Sequence, residues 1–292
     1  MAQSKIQLRK IRDFGDNISD TFQFIRQEGK SLVLSFLVVG GIFMFINAIV
    51  SGIYQKQSFG FMDSLSEGIF NPEQTFSMFT PMYFAVIILS VVTYSAMITV
   101  VAVYTRFCDE ENRTPSTAEV WQSFSKYIVR TIVFGFLQSI LVIIGLVMCI
   151  IPGIYLLVVF LPAPFIIVHE NLGISDTFNR CFTINRQGFW QSLGIYLVAG
   201  IISSVVSGIL GVLLGIVVGL GTYFSSAQMS TVMAIVISVV SVVQYFFYLI
   251  LFIAVALQYY NLVEQLEGTG LERRISQIGD TKQHRDDSGM EY

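Results

Sequence analysis

Long apolar runs alternate with short charged segments along the whole chain. Apolar stretches occupy residues 31–54, 82–104, 128–151, 154–168, 192–220 and 231–260, and a membrane-crossing helix needs about 20 mostly apolar residues. The pattern predicts an all-α polytopic membrane protein with six transmembrane helices. The fourth run is short, since at 1.5 Å per residue it reaches about 22 Å of a hydrocarbon core about 30 Å thick. Charge placement decides between one crossing and two over residues 128–168. Two crossings, hinged at Pro152-Gly153, return Arg180, Arg186, Arg273, Arg274, Lys282 and Arg285 to the side of the second charged loop. Of the 17 Lys and Arg, all but Lys56 then lie on one side, which is the positive-inside pattern and puts both termini in the cytoplasm.

The polar segments before spans one, three and five have a pattern of their own. Leu8, Ile11, Phe14, Ile18, Phe22 and Ile25 recur at threes and fours, with Arg12, Asp13, Asp16, Asp20 and Arg26 on other faces. This spacing predicts an amphipathic helix along the membrane surface. The pentapeptide ISDTF occurs at 18–22 and again at 174–178, and RQEGKSL (26–32) is answered by RQGFWQSL (186–193). A third copy precedes span three, where Thr114-Pro115 supplies an N-cap and an N1 proline. Ser116 and Glu119 fit a capping box there, and VWQSF (120–124) echoes FWQSL (189–193). The chain therefore reads as a cytoplasmic N-terminal segment (1–30), a membrane domain of three units of surface helix plus two spans (31–260), and a cytoplasmic tail (261–292) with a disordered end. A short helix is expected around Asn71-Pro72-Glu73 in the one long outer loop.

Composition agrees: 54% of residues are hydrophobic, 13% are charged and mean hydropathy is +0.68, too apolar for a soluble domain of this size. No cleavable targeting signal is expected, because thirty charged and polar residues precede the first apolar run. Among the 17 basic and 20 acidic residues only Arg130 touches a span, at its very start. Ion-coupled carriers place an ionisable group near the midplane, so that class is disfavoured. Cys108, Cys149 and Cys181 offer neither a disulfide nor metal-ligand spacing. His169 beside Glu170 points away from its neighbour on a helix and is expected to be a satisfied interfacial histidine, leaving no catalytic constellation. No cofactor, metal or nucleic acid is implied.

The remaining candidates are polar or small groups. Asn47, Gln138 and Gln244 lie within spans, either as interhelical hydrogen-bonding groups or as part of a substrate path. In span five Ala199, Ser203, Ser207, Gly211, Gly215 and Gly219 form a row of small residues, which predicts an internal packing seam with its close crossing at the glycine end. Pro152 and Gly153 are expected to make the turn into span four. Pro162 and Pro164 free backbone carbonyls within it, as either a kinked buried helix or the wall of a cavity. Arg26, Lys30, Lys126, Arg130, Arg180 and Arg186 make a basic collar, and Trp121 and Trp190 sit where interfacial anchors belong; membrane lipid headgroups are the partner these imply.

The stretch 150–200 resembles a bacterial six-span family, the membrane domain attached to some glycerophosphoryl diester phosphodiesterases. It carries the Pro-Gly-Ile-Tyr turn (152–155), Glu170, the surface helix and Phe189-Trp190. That resemblance implies a bacterial cytoplasmic-membrane protein. In two-domain members a separate soluble barrel carries the hydrolysis, so phosphodiesterase activity is not expected here. The family's basic residue early in span four is absent, since residues 156–160 are wholly apolar. The expected function is a non-enzymatic scaffold or lipid-interacting role. The alternative is a carrier or channel for a lipid-like or neutral substrate, which a polar cavity reaching the midplane would favour.

Overall fold

The computed structural model describes residues 6–66, 80–223 and 229–268. Their elements are helices α1 (Phe14–Ser35), α2 (Gly41–Ser66), α3 (Pro81–Glu110), α4 (Thr117–Met148), α5 (Ile150–Phe160), α6 (Ala163–His169), α7 (Ile174–Tyr223) and α8 (Met229–Glu267), with no strand among the described residues. Six of the helical runs are long and apolar enough to cross a membrane: Phe14–Lys56, Pro81–Glu110, Thr117–Met148, Ile150–His169, Ile174–Ile216 and Ser238–Glu267. The chain is an integral membrane protein. The expected helix at Asn71-Pro72-Glu73 and the tail beyond Gly268 lie outside the described residues.

Sequence neighbours pack together around a ring, α8 closes it against α2, and α3 also touches α6 and α8. With an even number of crossings, the ends of α3, α6 and α8 share one face with the start of α1, here the N-terminal face. The starts of α3, α5 and α8 share the far face.

The segments before spans one, three and five are helical but are not separate elements. Each runs unbroken into its span, because no Pro or capping sequence interrupts it; in the first, a π-helical turn at Phe36–Gly40 joins α1 to α2. Gly40 there lies against Met97, whose Sδ a Cβ would meet at 2.9 Å. The faces of α1 are also distributed differently from the surface-helix expectation. Asn17, Thr21, Phe24, Glu28 and Leu32 are buried in the bundle, whereas Ile11, Phe14 and Phe22 are exposed. The buried face is therefore mixed, with Asn17, Thr21 and Glu28 beside Phe24 and Leu32, and Thr21 and Glu28 are hydrogen-bonded there. The two ISDTF copies agree in one respect: Thr21 and Thr177 are both buried, and each hydroxyl donates to the carbonyl four residues back, Asn17 at 2.8 Å and Gly173 at 2.7 Å.

Three local expectations need correction. Ser116, not Thr114, is the N-cap of α4; its hydroxyl and the Glu119 carboxylate complete the capping box, and Thr114 instead donates to Glu28 at 2.9 Å. The turn between spans three and four falls at Cys149, which is extended (φ −168, ψ 147), not at Pro152-Gly153. Pro152 fits within the first turn of α5, where no intrahelical N–H is lost. Gly153 serves the hairpin differently: a Cβ there would meet the Leu146 side chain at 2.5 Å and its backbone N at 2.7 Å. Gly153→Val is expected to destabilise the protein by about 1–3 kcal/mol through overpacking, read as a lower midpoint in detergent thermal unfolding. An unchanged midpoint would show that the hairpin can open freely.

The small-residue seam of α7 is tight at the other end from the one expected. Ala199, Ser203 and Ser207 are buried, and the Ser203 hydroxyl reaches the Phe247 carbonyl of α8 at 2.9 Å. Gly211 is within reach of Val240, a Cβ there lying 3.4 Å from its Cγ1, and a Cβ at Gly215 would meet no atom of the described residues within 4 Å. Gly219 lies where only the backbone is described. One hydroxyl, that of Ser203, bonds across the seam, whereas Ser207 donates to carbonyls of its own helix.

Span four breaks at Leu161 and Pro162, with Pro162 as the N-cap of α6 and Pro164 in its first turn. The Val159 carbonyl next to this break accepts from the Asn185 side chain of α7 at 3.2 Å. A neighbouring helix thus supplies the donor, which is the condition under which a broken helix is tolerated at membrane depth.

Candidate intramembrane binding site

The helices do not fill the ring. A cavity of about 670 Å³ lies between α3, α4, α5, α7 and α8, and one of about 460 Å³ lies between α2, α3 and α8. Helical spacing explains the first: Ser90, Tyr94 and Ile98 of α3, Thr131, Gly135, Gln138 and Ser139 of α4, and Tyr245, Tyr248 and Leu251 of α8 each fall at threes and fours on one face. Leu161 and Pro164, at the break in span four, complete the wall. Gln138 sits about 15 Å from the far end of α4, near half the thickness of the hydrocarbon core.

The wall of the larger cavity is chiefly aliphatic and aromatic, that of the smaller is rich in hydroxyl and amide groups, and among the described residues no Asp, Glu, Lys, Arg or His lines either. The three amides singled out in the sequence behave differently. Asn47 bonds across helices, its amide donating to the Tyr245 hydroxyl at 2.7 Å and to Ser90 Oγ at 3.4 Å. Gln244 donates within its own helix to the Tyr248 hydroxyl at 3.1 Å. Gln138 makes no side-chain hydrogen bond among the described residues, and neither does Tyr94; both line the larger cavity. The Tyr196 hydroxyl, buried on α7 in the same wall, has no partner either. Ser192, one turn earlier, already accepts from Gln258 at 3.0 Å. An unsatisfied polar group in a dry interior is costly, and three around one cavity point to a molecule that satisfies them.

No family model, curated protein or solved structure matches this chain. Its site is therefore read from its own geometry. Of the basic collar, Arg26, Lys30, Lys126 and Arg186 are exposed on the N-terminal face, as are Trp121 at 51% and Trp190 at 79%. Arg130 and Arg180 are only partly exposed and also bond within the protein. Arg130 donates to Asn171 Oδ1 at 2.9 Å and lies over the Tyr127 ring, and Arg180 bridges Glu170, at 2.8 Å, and Glu267.

A polar network on the N-terminal face was not foreseen. The extended strap before α1 is pinned by Arg12, whose guanidinium donates to the Leu8 carbonyl at 2.6 Å, the Lys10 carbonyl at 3.1 Å, the Gln7 carbonyl, and Asp20 at 2.8 Å. Its backbone N–H donates to Asn261 Oδ1 at 2.9 Å, and its carbonyl accepts from Gln191 at 2.7 Å. Burial holds the Arg12 guanidinium below its usual pKa, opposed by Asp20, and it stays charged at neutral pH. His169 is satisfied on both ring nitrogens. Nδ1 donates to the Phe165 carbonyl at 2.9 Å, and Nε2 lies 2.6 Å from the Tyr260 hydroxyl, whose single proton is shared between Nε2 and the Thr105 carbonyl at 3.1 Å. Among the described residues no three His, Cys, Asp or Glu converge as a metal site.

Proposed function

We propose that this integral membrane protein binds a lipid-like molecule with an uncharged polar head inside its helix bundle, and handles it as a non-enzymatic carrier in the bacterial cytoplasmic membrane with both termini cytoplasmic. One observation carries this reading: Tyr94, Gln138 and Tyr196 line a single cavity within the bundle, and their polar ends have no hydrogen-bond partner among the described residues. Hydroxyls and an amide offer both donors and acceptors and no charge, which suits a sugar, glycerol or amide head. The aliphatic walls suit an acyl chain. The exposed collar and the two tryptophans fit anchoring and contact with anionic headgroups at the inner surface, which is the scaffold role expected from sequence, but that role gives no account of the cavity.

Native mass spectrometry of the purified protein, after exchange into mixtures of monoglucosyl diacylglycerol and phosphatidylglycerol, tests the reading. The expected result is selective retention of the neutral glycolipid, insensitive to salt. Retention of phosphatidylglycerol alone, lost at high salt, would return the function to the surface collar. No retained lipid at all would leave a water-filled cavity and overturn the proposal.

A further inference from the structure

The two cavities share three residues, Ser90 of α3 and Tyr245 and Tyr248 of α8. The larger begins at Ile154, about 6 Å from the start of α5 on the far face, and runs toward the N-terminal face. The larger reaches Thr131, about 26 Å from the far end of α4 and so close to the N-terminal face. The smaller reaches Tyr54 and Gln55, about 11 Å beyond Asn47 toward the far face. Together they cover most of the depth of the hydrocarbon core, the smaller lying beside the far part of the larger, with hydroxyl and amide groups along both. Where they meet, Asn47 donates to the Tyr245 hydroxyl at 2.7 Å, and Ser51 donates to Asn47 Oδ1 at 3.1 Å. The larger cavity is not sealed from its surroundings, since Leu157 and Leu197 in its wall are 43% and 53% exposed.

We infer that the protein moves the polar head of its lipid across the bilayer along this track, with the bond between Asn47 and Tyr245 as the latch that closes it. This rests on the lipid-binding reading above and adds an activity to it. A neutral head is held from pure hydrocarbon by the loss of its hydrogen bonds, and a run of serine, tyrosine and amide groups replaces them at each step. An acyl chain left outside between Leu157 and Leu197 never has to cross a polar region. A charged head finds no counter-charge on the track and is excluded by desolvation. Of the two tyrosines in the shared wall, Tyr245 is held across helices by the Asn47 amide, and Tyr248 accepts from Gln244 of its own helix.

The test uses the full chain in phosphatidylcholine vesicles containing a trace of monoglucosyl diacylglycerol with a fluorescent acyl chain. Dithionite added outside bleaches only the outer leaflet, so bleaching beyond that fraction reports transbilayer movement. Wild-type protein is expected to give movement above protein-free vesicles. Tyr245→Phe is expected to speed it about fivefold, the rate equivalent of one ordinary hydrogen bond, and Ser90→Leu to return it to the protein-free rate. A phosphatidylglycerol probe with the same tag is expected to stay in place. Native mass spectrometry of the same samples separates the two readings. Retained glycolipid with no movement in either wild type or Tyr245→Phe overturns translocation and leaves binding intact, whereas absence of retained lipid overturns binding itself. Movement at equal rates in wild type and Tyr245→Phe overturns the latch, and equal movement of the anionic probe overturns the selectivity.

Discussion

Replacing Arg12 by alanine is expected to lower the stability of the protein by about 3–5 kcal/mol, the range for removing one partner of a buried ion pair. The side chain is fully buried and its ion-pair partner Asp20 is partly so, at 0% and 18% exposure. Truncation leaves the carbonyls of Gln7, Leu8 and Lys10 without their donor, and a buried acceptor without a partner is penalised in its own right. It also opens a void beneath the strap, whose Leu8 side chain is buried in the same core as Phe24 and Tyr104. Arg12→Lys is expected to recover only part of the loss, because an ammonium group cannot reproduce the fork that serves three carbonyls and a carboxylate together. Thermal unfolding in detergent, followed by circular dichroism, checks the series, with exposed Ile11→Ser as a near-neutral control. If Arg12→Ala melts with the wild type, the strap contributes nothing to the fold.

That Arg12 is buried was not legible in the sequence. Its neighbours Leu8, Ile11 and Phe14 describe an apolar stripe, and the usual reading sends the residues between them to water. In a membrane protein the apolar surroundings lie outside, so a stripe can face lipid while the polar side chains turn inward and find one another. Asn17, Gln191, Gln258 and Asn261 do this on the N-terminal face. The six spans were legible because backbone groups in hydrocarbon must be satisfied within one helix, which demands long apolar runs. The capping box at Ser116 and Glu119 was legible because it depends on four adjacent residues. The turn at Cys149 was not, because proline is tolerated in the first turn of a helix as readily as in the loop before it. The amides and tyrosines of the cavity were visible as types. Which of them pair was not, since Asn47 and Tyr245 are brought together only by the packing of α2 against α8.

Converting the unpartnered cavity groups to apolar shapes, in Tyr94→Phe, Gln138→Leu and Tyr196→Phe combined, is expected to have opposite effects on stability and on ligand binding. Each polar group left without a partner is a penalty of about 1–3 kcal/mol on the ligand-free protein. Removing all three therefore raises the unfolding temperature of lipid-stripped protein, by less than the sum because they share one cavity. The ligand loses the polar groups that no other side chain occupies, so the stabilisation conferred by added monoglucosyl diacylglycerol is expected to fall sharply. For a ligand at a hundred times its dissociation constant that stabilisation is about 2.7 kcal/mol, well within the reach of thermal unfolding. Ordinary core residues do not behave this way, since replacing a group that bonds within the protein lowers stability whether or not ligand is present. Asn47→Leu provides that contrast, because its amide is already bonded to Tyr245 and Ser90. If the triple variant is less stable than wild type without lipid and keeps its response to the glycolipid, the three side chains are structural and the cavity does not bind through them. A rise in ligand-free stability together with loss of the lipid response is the signature of polar groups kept open for a ligand.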